Sequence, residues 1–479
     1  MNMIEFIDEM LTKFKPCFSR NATYRWFVVV IIGFMLRSDT LGVTSIIRDL
    51  AISPTLYETM LHFFRSSSWS LDSIADKWYH IVKESEQIYR EGDAVILIGD
   101  GVKQAKEGRY MPGVKKLHQE SENSSKAEYI FGHMFGGIGI LTGTINKWFC
   151  LPLFINLQDG VSSILRWKDP TQVHISHVVQ MVENGFKISK VMGKSILLLD
   201  RYFLSVPAIT RLNELNSTKT DKMQIVTKAK SSCLAFEKAP IGKQGKGRPR
   251  KKGNSIKLKT LFETMKDSFI KTTVTLYGKE TEVSYYCINL LWGQKLYQEL
   301  RFVLVNYNGN MSILVSTDTG LDPTTIIRLY SYRFKIECTF RELKQVIGGF
   351  SYQFWSKSMP KLNRYLKRKQ THPIDLIEDP KAQQRILQTI KAIEGYVMFS
   401  CIAIGLLQLV SLKYSMAIDA PNLRYTRTPS KKIVSEATVA FYLRKNIFRI
   451  LAENPMNSIT RIIKQKQCEP IVHKDLQAS

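Results

Sequence analysis

Apolar residues along the chain change their spacing several times, and each change marks a boundary. Residues 1 to 88 carry apolar and aromatic side chains at helical intervals with no sustained alternation, so this head reads as helical. Within it Val43 to Leu50 and Pro54 to Phe64 predict two helices around a tight turn, with Ser53 as N-cap and Pro54 at the first helical position. The pair has a loose likeness to a helix-turn-helix, with an ordinary helical hairpin as the favoured reading. From about residue 93 the pattern shifts. Ala94 to Gly99 is a short, fully apolar run that ends at Asp100, the mark of a buried strand. Tyr129 to Leu141 and Asn146 to Leu157 are strand-like, Pro170 to Asn184 is helical, and Ser195 to Leu199 repeats the first pattern and ends at Asp200. Met223 to Thr227 is another short strand.

Ile241 to Thr260 holds eight Lys or Arg and no acid, too little apolar surface for a core, so it reads as a loop. Ile270 to Tyr277, Thr281 to Leu291, Leu300 to Asn306 and Met311 to Ser316 then predict a run of antiparallel strands. A long helix starts at Asp322-Pro323, with Asp322 as N-cap, and continues to about Ile347. The remainder, from about Lys381, is again mainly helical.

Two apolar stretches raise the question of a membrane. Trp26 to Leu36 is too short to span one. Gly395 to Leu412 would reach about 27 Å as a helix, which is borderline. It contains Ser400, Gln408 and two glycines and stands alone, so a buried core helix is the expectation. The start, Met1 to Lys13, carries acids and no apolar run of the kind a secretory signal needs.

Composition sharpens this. Of 479 residues, 44% are apolar and 23% charged, which excludes global disorder and collagen-like repeats. Lys and Arg outnumber Asp and Glu by 68 to 42, a net +26, and a surplus of that size points to a polyanionic partner, nucleic acid or a membrane surface. The seven cysteines are scattered singly, with no C-x2-C pair, which fits free thiols in a reducing compartment. No Gly-rich phosphate loop follows a strand.

Asp100 and Asp200 share one local grammar: an aliphatic strand, then a lone acid. Strand ends are where function collects in α/β sheets, although a single such Asp is more often a turn residue. The long helix supplies a third element. Wound at 100° per residue, Tyr330, Arg333, Glu337, Arg341 and Lys344 share a stripe about 80° wide. Beside it, Leu329, Tyr332, Ile336, Phe340 and Leu343 make an apolar seam. A solvated face with i,i+4 pairs is the plain alternative, but Arg333 and Glu337 stand in the weaker orientation for one. Two strand-end acids and one helix acid suggest an acid-cluster nuclease core.

The spacing Tyr330-x2-Arg333-x3-Glu337-x6-Lys344 resembles the Y-R-E-K signature of bacterial insertion-sequence transposases with an RNase H-like, retroviral-integrase-type DDE core. Asp100 in Ile98-Gly-Asp-Gly101 and Asp200 in Leu199-Asp-Arg-Tyr-Phe203 resemble that family's first and second catalytic Asp. The resemblance covers roughly residues 40 to 410, and the long gap from Asp200 to Glu337 suits members with a β-rich insertion before the Glu. It implies an α/β, RNase H-like catalytic core interrupted by a β-rich insertion and flanked by helical ends. The divisions expected are 1–88 (helical, DNA-binding), 89–230 (first part of the core), 231–306 (basic, β-rich insertion), 307–413 (second part, with the catalytic helix) and 414–479 (helical tail).

The resemblance further implies that Asp100, Asp200 and Glu337 are catalytic and hold Mg2+, for which Mn2+ can substitute, while Tyr330, Arg333, Lys344 and Arg341 face DNA. Two divalent ions about 4 Å apart stabilise the attacking and leaving oxygens of phosphodiester cleavage, and these hard ions prefer carboxylates. The expected activity is DNA transposition: binding of terminal inverted repeats, cleavage, and joining of 3′-hydroxyls to target DNA, by a homodimer that holds two ends, in a bacterial cytoplasm near the nucleoid. A structure-selective nuclease on the same core and an inactive, transposase-derived DNA-binding protein are the alternatives. Gly247-Arg248-Pro249-Arg250, with Lys251 and Lys252, has the look of an AT-hook core, and phosphate contact is the broader expectation. Lys357, Lys361, Arg364, Lys367, Arg368 and Lys369 form a second basic run. Trp292 is a base-stacking candidate set against a sheet-core role. His174 and His177 read as helix surface, and Lys103 and Arg201 as charge balance or DNA contact beside the acids.

Overall fold

The structure, a computed structural model, describes residues 2–85, 87–119, 127–158, 161–171, 176–218, 220–240, 250–363, 370–418 and 432–468. The head contains α1 (Met3–Thr12), α2 (Asn21–Leu36), α3 (Thr44–Asp49), α4 (Tyr57–Arg65) and α5 (Leu71–Lys83). The expected turn between α3 and α4 is present, with Ala51 at φ +53°. Ser53 is not the side-chain cap expected; Pro54–Leu56 form a 3-10 turn that leads into α4.

Next come β1 (Arg90–Glu91), β2 (Ala94–Ala105), β3 (Lys115–His118), β4 (Tyr129–Thr144), β5 (Lys147–Leu157), α6 (Ser162–Lys168), α7 (His177–Met192), β6 (Ser195–Leu198), α8 (Val206–Asn216) and β7 (Met223–Lys228). The helix expected over 170–184 therefore lies further along, its start drawn to Ser176. The strands β4, β5, β6 and β7 fall where the apolar pattern put them.

The next stretch holds β8 (Leu234–Phe236), β9 (Ser255–Lys257), α9 (Leu261–Thr264), β10 (Ile270–Leu276), β11 (Lys279–Trp292), β12 (Gln298–Tyr307) and β13 (Asn310–Ser316). Helices α10 (Pro323–Ser331), α11 (Lys335–Gln345), α12 (Pro380–Tyr414), α13 (Glu436–Glu453) and α14 (Ser458–Lys464) follow. Asp322 caps α10 as expected, its carboxylate accepting from Thr325 N at 2.8 Å.

All thirteen described strands join one mixed sheet, ordered β3-β4-β2-β6-β7-β13-β12-β11-β8-β9, with β5 also on β4, β1 on β2 and β10 on β11. β2, β6 and β7 run parallel; β4 is antiparallel to β2, and β5 is antiparallel to β4 and so runs the same way as β2. From β13 to β10 every pairing is antiparallel, as expected for short alternating strands. A second, smaller hydrophobic cluster lies under these strands, separate from the main core.

α12 is the centre of the main core. Asp379 caps its first turn, and its residues from Ile386 to Ser411 are mostly buried. It is the one described helix long and apolar enough to cross a membrane, and 94% of its apolar window is buried inside the protein. That agrees with the core-helix expectation. Phe399 is fully buried there, with the rings of Phe27, Phe63 and Trp69 between 5.0 and 5.5 Å away. The seven cysteines are free.

Phe399→Ala should therefore open a cavity at the junction of α2, α4 and α12 and lower stability by about 3–5 kcal/mol. A urea titration followed by circular dichroism reads this as a lowered midpoint. An unchanged midpoint would mean that α12 is not part of the folded core.

Candidate active site

Parallel pairing sets the first two acids side by side. Ile98 of β2 lies opposite Leu198 of β6, so Asp100 and Asp200 each stand two residues beyond the same rung. Their chains then part. Asp100 does not end its strand, as the apolar run had suggested: β2 continues to Ala105 on the pairing with β4. Asp200 leaves the sheet and enters a 3-10 turn, Arg201–Phe203, where Thr227 Oγ1 donates to the Asp200 carbonyl at 2.9 Å.

Two glycines explain why helices can close on this point. A Cβ at Gly101 would stand 2.9 Å from the His177 ring and closer still to Met134. A Cβ at Gly137, the cross-strand partner of Asp100, would stand 2.8 Å from the Phe340 ring of α11. Phe340 thus lies directly on the sheet, Thr339 Oγ1 donates to Cys150 O of β5 at 2.6 Å, and α11 brings Glu337 over β2.

The helix bearing Glu337 is not continuous. Tyr332–Phe334 form a 3-10 turn between α10 and α11. Such a turn advances about 120° per residue instead of 100°, so the single stripe expected is rotated by about 60° between its two halves. The result gathers Tyr330 and Arg333 toward the acids. Arg333 Nη1 donates to Asp100 Oδ2 at 3.0 Å, and its Nη2 donates to Glu337 Oε1. One guanidinium therefore bridges a strand carboxylate and a helix carboxylate.

Burial pushes the Asp100 carboxyl up to about 6, with repulsion from Asp200 and Glu337 adding to it and Arg333 and the Gly101 N–H opposing it. Burial also works against the charge on Arg333, but Asp100 and Glu337, with Tyr330 and Asp200 beyond, outweigh it and hold the guanidinium protonated. Burial raises the Tyr330 phenol, Arg333 lowers it, and Asp200, Asp100 and Tyr277 raise it further. These mutual fields mean that Asp100, Asp200, Glu337, Tyr330 and Arg333 share one neighbourhood.

The other predicted residues have the following surroundings. Arg341 pairs with its neighbour Glu342 at 3.0 Å. Lys344 is exposed, with its ammonium 6.0 Å from the Phe350 ring. Arg250 and Lys251 are exposed, whereas Lys252 sits over the Phe236 ring at 3.7 Å. Arg248 lies outside the described residues, as do His174 and the basic positions 364, 367, 368 and 369. Trp292 is half-buried against the second hydrophobic cluster. Lys103 donates to His118 O at 2.6 Å, and Arg201 is exposed. His177 corrects the surface expectation: it is buried at the start of α7 with the Phe203 ring 5.2 Å away, because the first turn of α7 tucks under the two aspartates.

Two aromatics near the acids were missed. Tyr202, two residues past Asp200, is 51% exposed, and Tyr277, at φ +53° in the β10–β11 turn, is 72% exposed. The Tyr277-Gly278 pair signals a turn, but nothing local says that the turn points toward Tyr330.

Among the described residues no group of three or more His, Cys, Asp and Glu is gathered closely enough to hold a metal ion. The donor set still fits a hard divalent cation. It is all carboxylate, and Asp100 feels both other acids as unfavourable charge that a cation would offset.

The raised carboxyl has a stability consequence. Its folded value of about 6 lies above the unfolded value, so folding disfavours the ionised form. The penalty is absent below the unfolded value near 4 and fully present above about 6. Without divalent ions, Asp100→Asn should raise stability at pH 8 by about 1–3 kcal/mol and change little at pH 4. Melting temperatures across that range would show it. A loss at pH 8 would mean that the Arg333 pair outweighs burial.

Two family models match the chain: one described as DDE superfamily endonuclease over residues 13–149, which include Asp100, and one described as transposase DDE domain over residues 162–353, which include Asp200 and Glu337. No curated protein and no solved structure matches it. Both models are of DDE enzymes and together they span most of residues 13 to 353, so the chain belongs to the DDE transposases.

Proposed function

We propose that this transposase cuts DNA at its transposon ends and joins the freed 3′-hydroxyls to a target, with Asp100, Asp200 and Glu337 as the catalytic acids. The observation that carries this is that Asp100 and Glu337, distant in sequence, share the Arg333 guanidinium and that Asp200 lies within the field felt at Asp100. The sheet order β5-β4-β2-β6-β7, in which only β4 runs against the others, supports an RNase H-like core. The strands from β8 to β12 support reading residues 231–306 as an insertion that extends that sheet. The helical head, 1–88, and tail, 414–479, flank this core, and the head is the proposed end-binding region.

Asp100, Asp200 and Glu337 would hold Mg2+ or Mn2+. Such ions supply charge stabilisation to the attacking and leaving oxygens of an in-line phosphoryl displacement. The chain's own side chains do the rest. Arg333 presents a planar fork suited to a phosphate and is already oriented by two carboxylates. Tyr330 stays a neutral phenol and can donate to a phosphate oxygen. Lys344, Arg250 and Lys251, all exposed, add positive potential along the DNA path. Two ends must be held for concerted joining, so a homodimer on paired inverted repeats is the assembly proposed.

Asp100→Asn, Asp200→Asn and Glu337→Gln should each abolish cleavage of a labelled transposon end in Mg2+ while leaving its binding largely intact. The same assay with target DNA separates a transposase from a structure-selective nuclease. Joined products support the proposal, and cleavage without them in every condition would reduce it to an endonuclease. Cleavage that survives any of the three substitutions would remove that residue from the site.

The net charge of +26 also sets a salt response. With six or more phosphate contacts, affinity for duplex ends should fall by about 10^3 or more between 50 and 200 mM salt. Fluorescence anisotropy measures it, and removal of Arg250 and Lys251 should flatten the slope. A salt-independent affinity would argue against phosphate contacts as the source of binding.

A further inference from the structure

The segment that leaves the catalytic helix does not trail into solvent. Residues 350 to 362 are tied down at several points. Lys106 Nζ, from the end of β2, donates to Phe350 O at 2.6 Å and to Tyr352 O at 2.9 Å. Ser356 N donates to Tyr110 O, Leu362 N donates to Arg109 O, and Phe354 and Met359 are buried. On this anchored segment Trp355 is 52% exposed. A singly exposed aromatic is ordinary by itself; what sets Trp355 apart is the recess it lines.

Trp355 lines a cleft of about 660 Å³ between α4, the 352–358 segment and α12. Its polar lining is one-sided. Arg65, Lys357 and Arg385 face it, against the single acid Glu58. Among the described residues Lys357 and Arg385 form no ion pair, and both are exposed. Arg65 is committed to the wall: its Nη2 donates to Trp355 O at 3.2 Å, and its guanidinium lies 5.9 Å from the Phe354 ring. Gln353 and Gln388 add amide donors and acceptors at the rim.

We propose that this cleft is a second nucleic-acid subsite, which takes an unpaired nucleotide of the DNA strand with its base on the Trp355 ring and its phosphates on Lys357 and Arg385. The inference rests on the DNA-acting reading for its ligand class. The chemistry selects an unpaired nucleotide for three reasons. Unpaired cations in a recess attract phosphate. A flat exposed indole offers a stacking face that every base can use. A recess of this volume accepts one or two nucleotides, but the bases of an intact duplex are stacked inside the helix and cannot reach its wall. The segment that bears Trp355 follows α11, which ends at Gln345.

The test compares a short single-stranded thymidine oligonucleotide with an intact duplex of equal length, by fluorescence anisotropy on the full chain without divalent ions. Trp355→Ala should weaken single-strand binding by about tenfold, the scale of one lost base stack, and leave duplex binding unchanged. Trp355→Phe should retain most of the affinity. Lys357→Gln with Arg385→Gln should lower the single-strand salt slope by about 1.4, two phosphates' worth. Melting temperatures of the variants show whether each is folded, and the two surface cations provide the test should Trp355→Ala unfold. Unchanged single-strand affinity in Trp355→Ala, or an equal loss on both DNAs, overturns the proposal. Asp100→Asn in parallel keeps the two readings apart. Loss of cleavage there bears on the catalytic acids alone, and normal single-strand binding by Trp355→Ala defeats the cleft while the acids stand.

Discussion

Parallel pairing between β2 and β6 is the constraint on which the site depends. Parallel neighbours cannot be joined by a tight turn and need a long crossover. Here the crossover runs through β4, β5, α6 and α7 before the chain returns beside β2. Once Ile98 is opposite Leu198, the two aspartates are at one level without any direct bond between them. A slip of one residue would turn one of them to the other face of the sheet. The fully apolar runs before both acids, buried on both faces, are what hold this register.

Bringing acids together inside a protein of net charge +26 raises an electrostatic problem that Arg333 addresses. Asp100 is mostly buried and feels Asp200 and Glu337 as like charges. The bridging guanidinium offsets part of that field, and the 3-10 turn between α10 and α11 sets it where it can touch both Asp100 and Glu337. The charge pattern also favours any further cation, metal or otherwise, that the three carboxylates can reach.

The helical head and tail support this indirectly. Arg37, at the end of α2, is 1% exposed and donates to the carbonyls of Gly42 and Ile347 and to the Tyr396 hydroxyl of α12. Ile347 closes the turn after α11, so the head of the chain anchors the end of the helix that carries Glu337. Arg444 of α13 donates to the carbonyls of Leu36 and Arg37 and ties the tail to the same corner. Both Nη atoms of this buried guanidinium are used, while its Nε finds no partner among the described residues, so the contact is favourable only when each carbonyl is held in place. The contact thus links four separate segments, α2, α11, α12 and α13.

Local sequence determined much of this protein. Period-two and fully apolar runs marked β4 to β7 and β10 to β13, Asp322 marked a helix start, and the polar residues and glycines in Gly395 to Leu412 marked a core helix that the structure buries. The acids and the Tyr330, Arg333, Glu337, Lys344 spacing could be read because they are local patterns on a strand or a helix. Tertiary structure decided what spacing cannot carry. The 3-10 turn at Tyr332–Phe334 accompanies the docking of Arg333 on Asp100 and Phe340 on Gly137, contacts more than 190 residues apart in sequence, and it rotates the stripe that one straight helix would carry. His177 became buried because α7 closes under two strand ends that its own segment cannot sense. Tyr277 and Trp355, one on a hairpin turn and one on an anchored loop, are single residues with no periodicity. Only the packing of distant elements gives each a place.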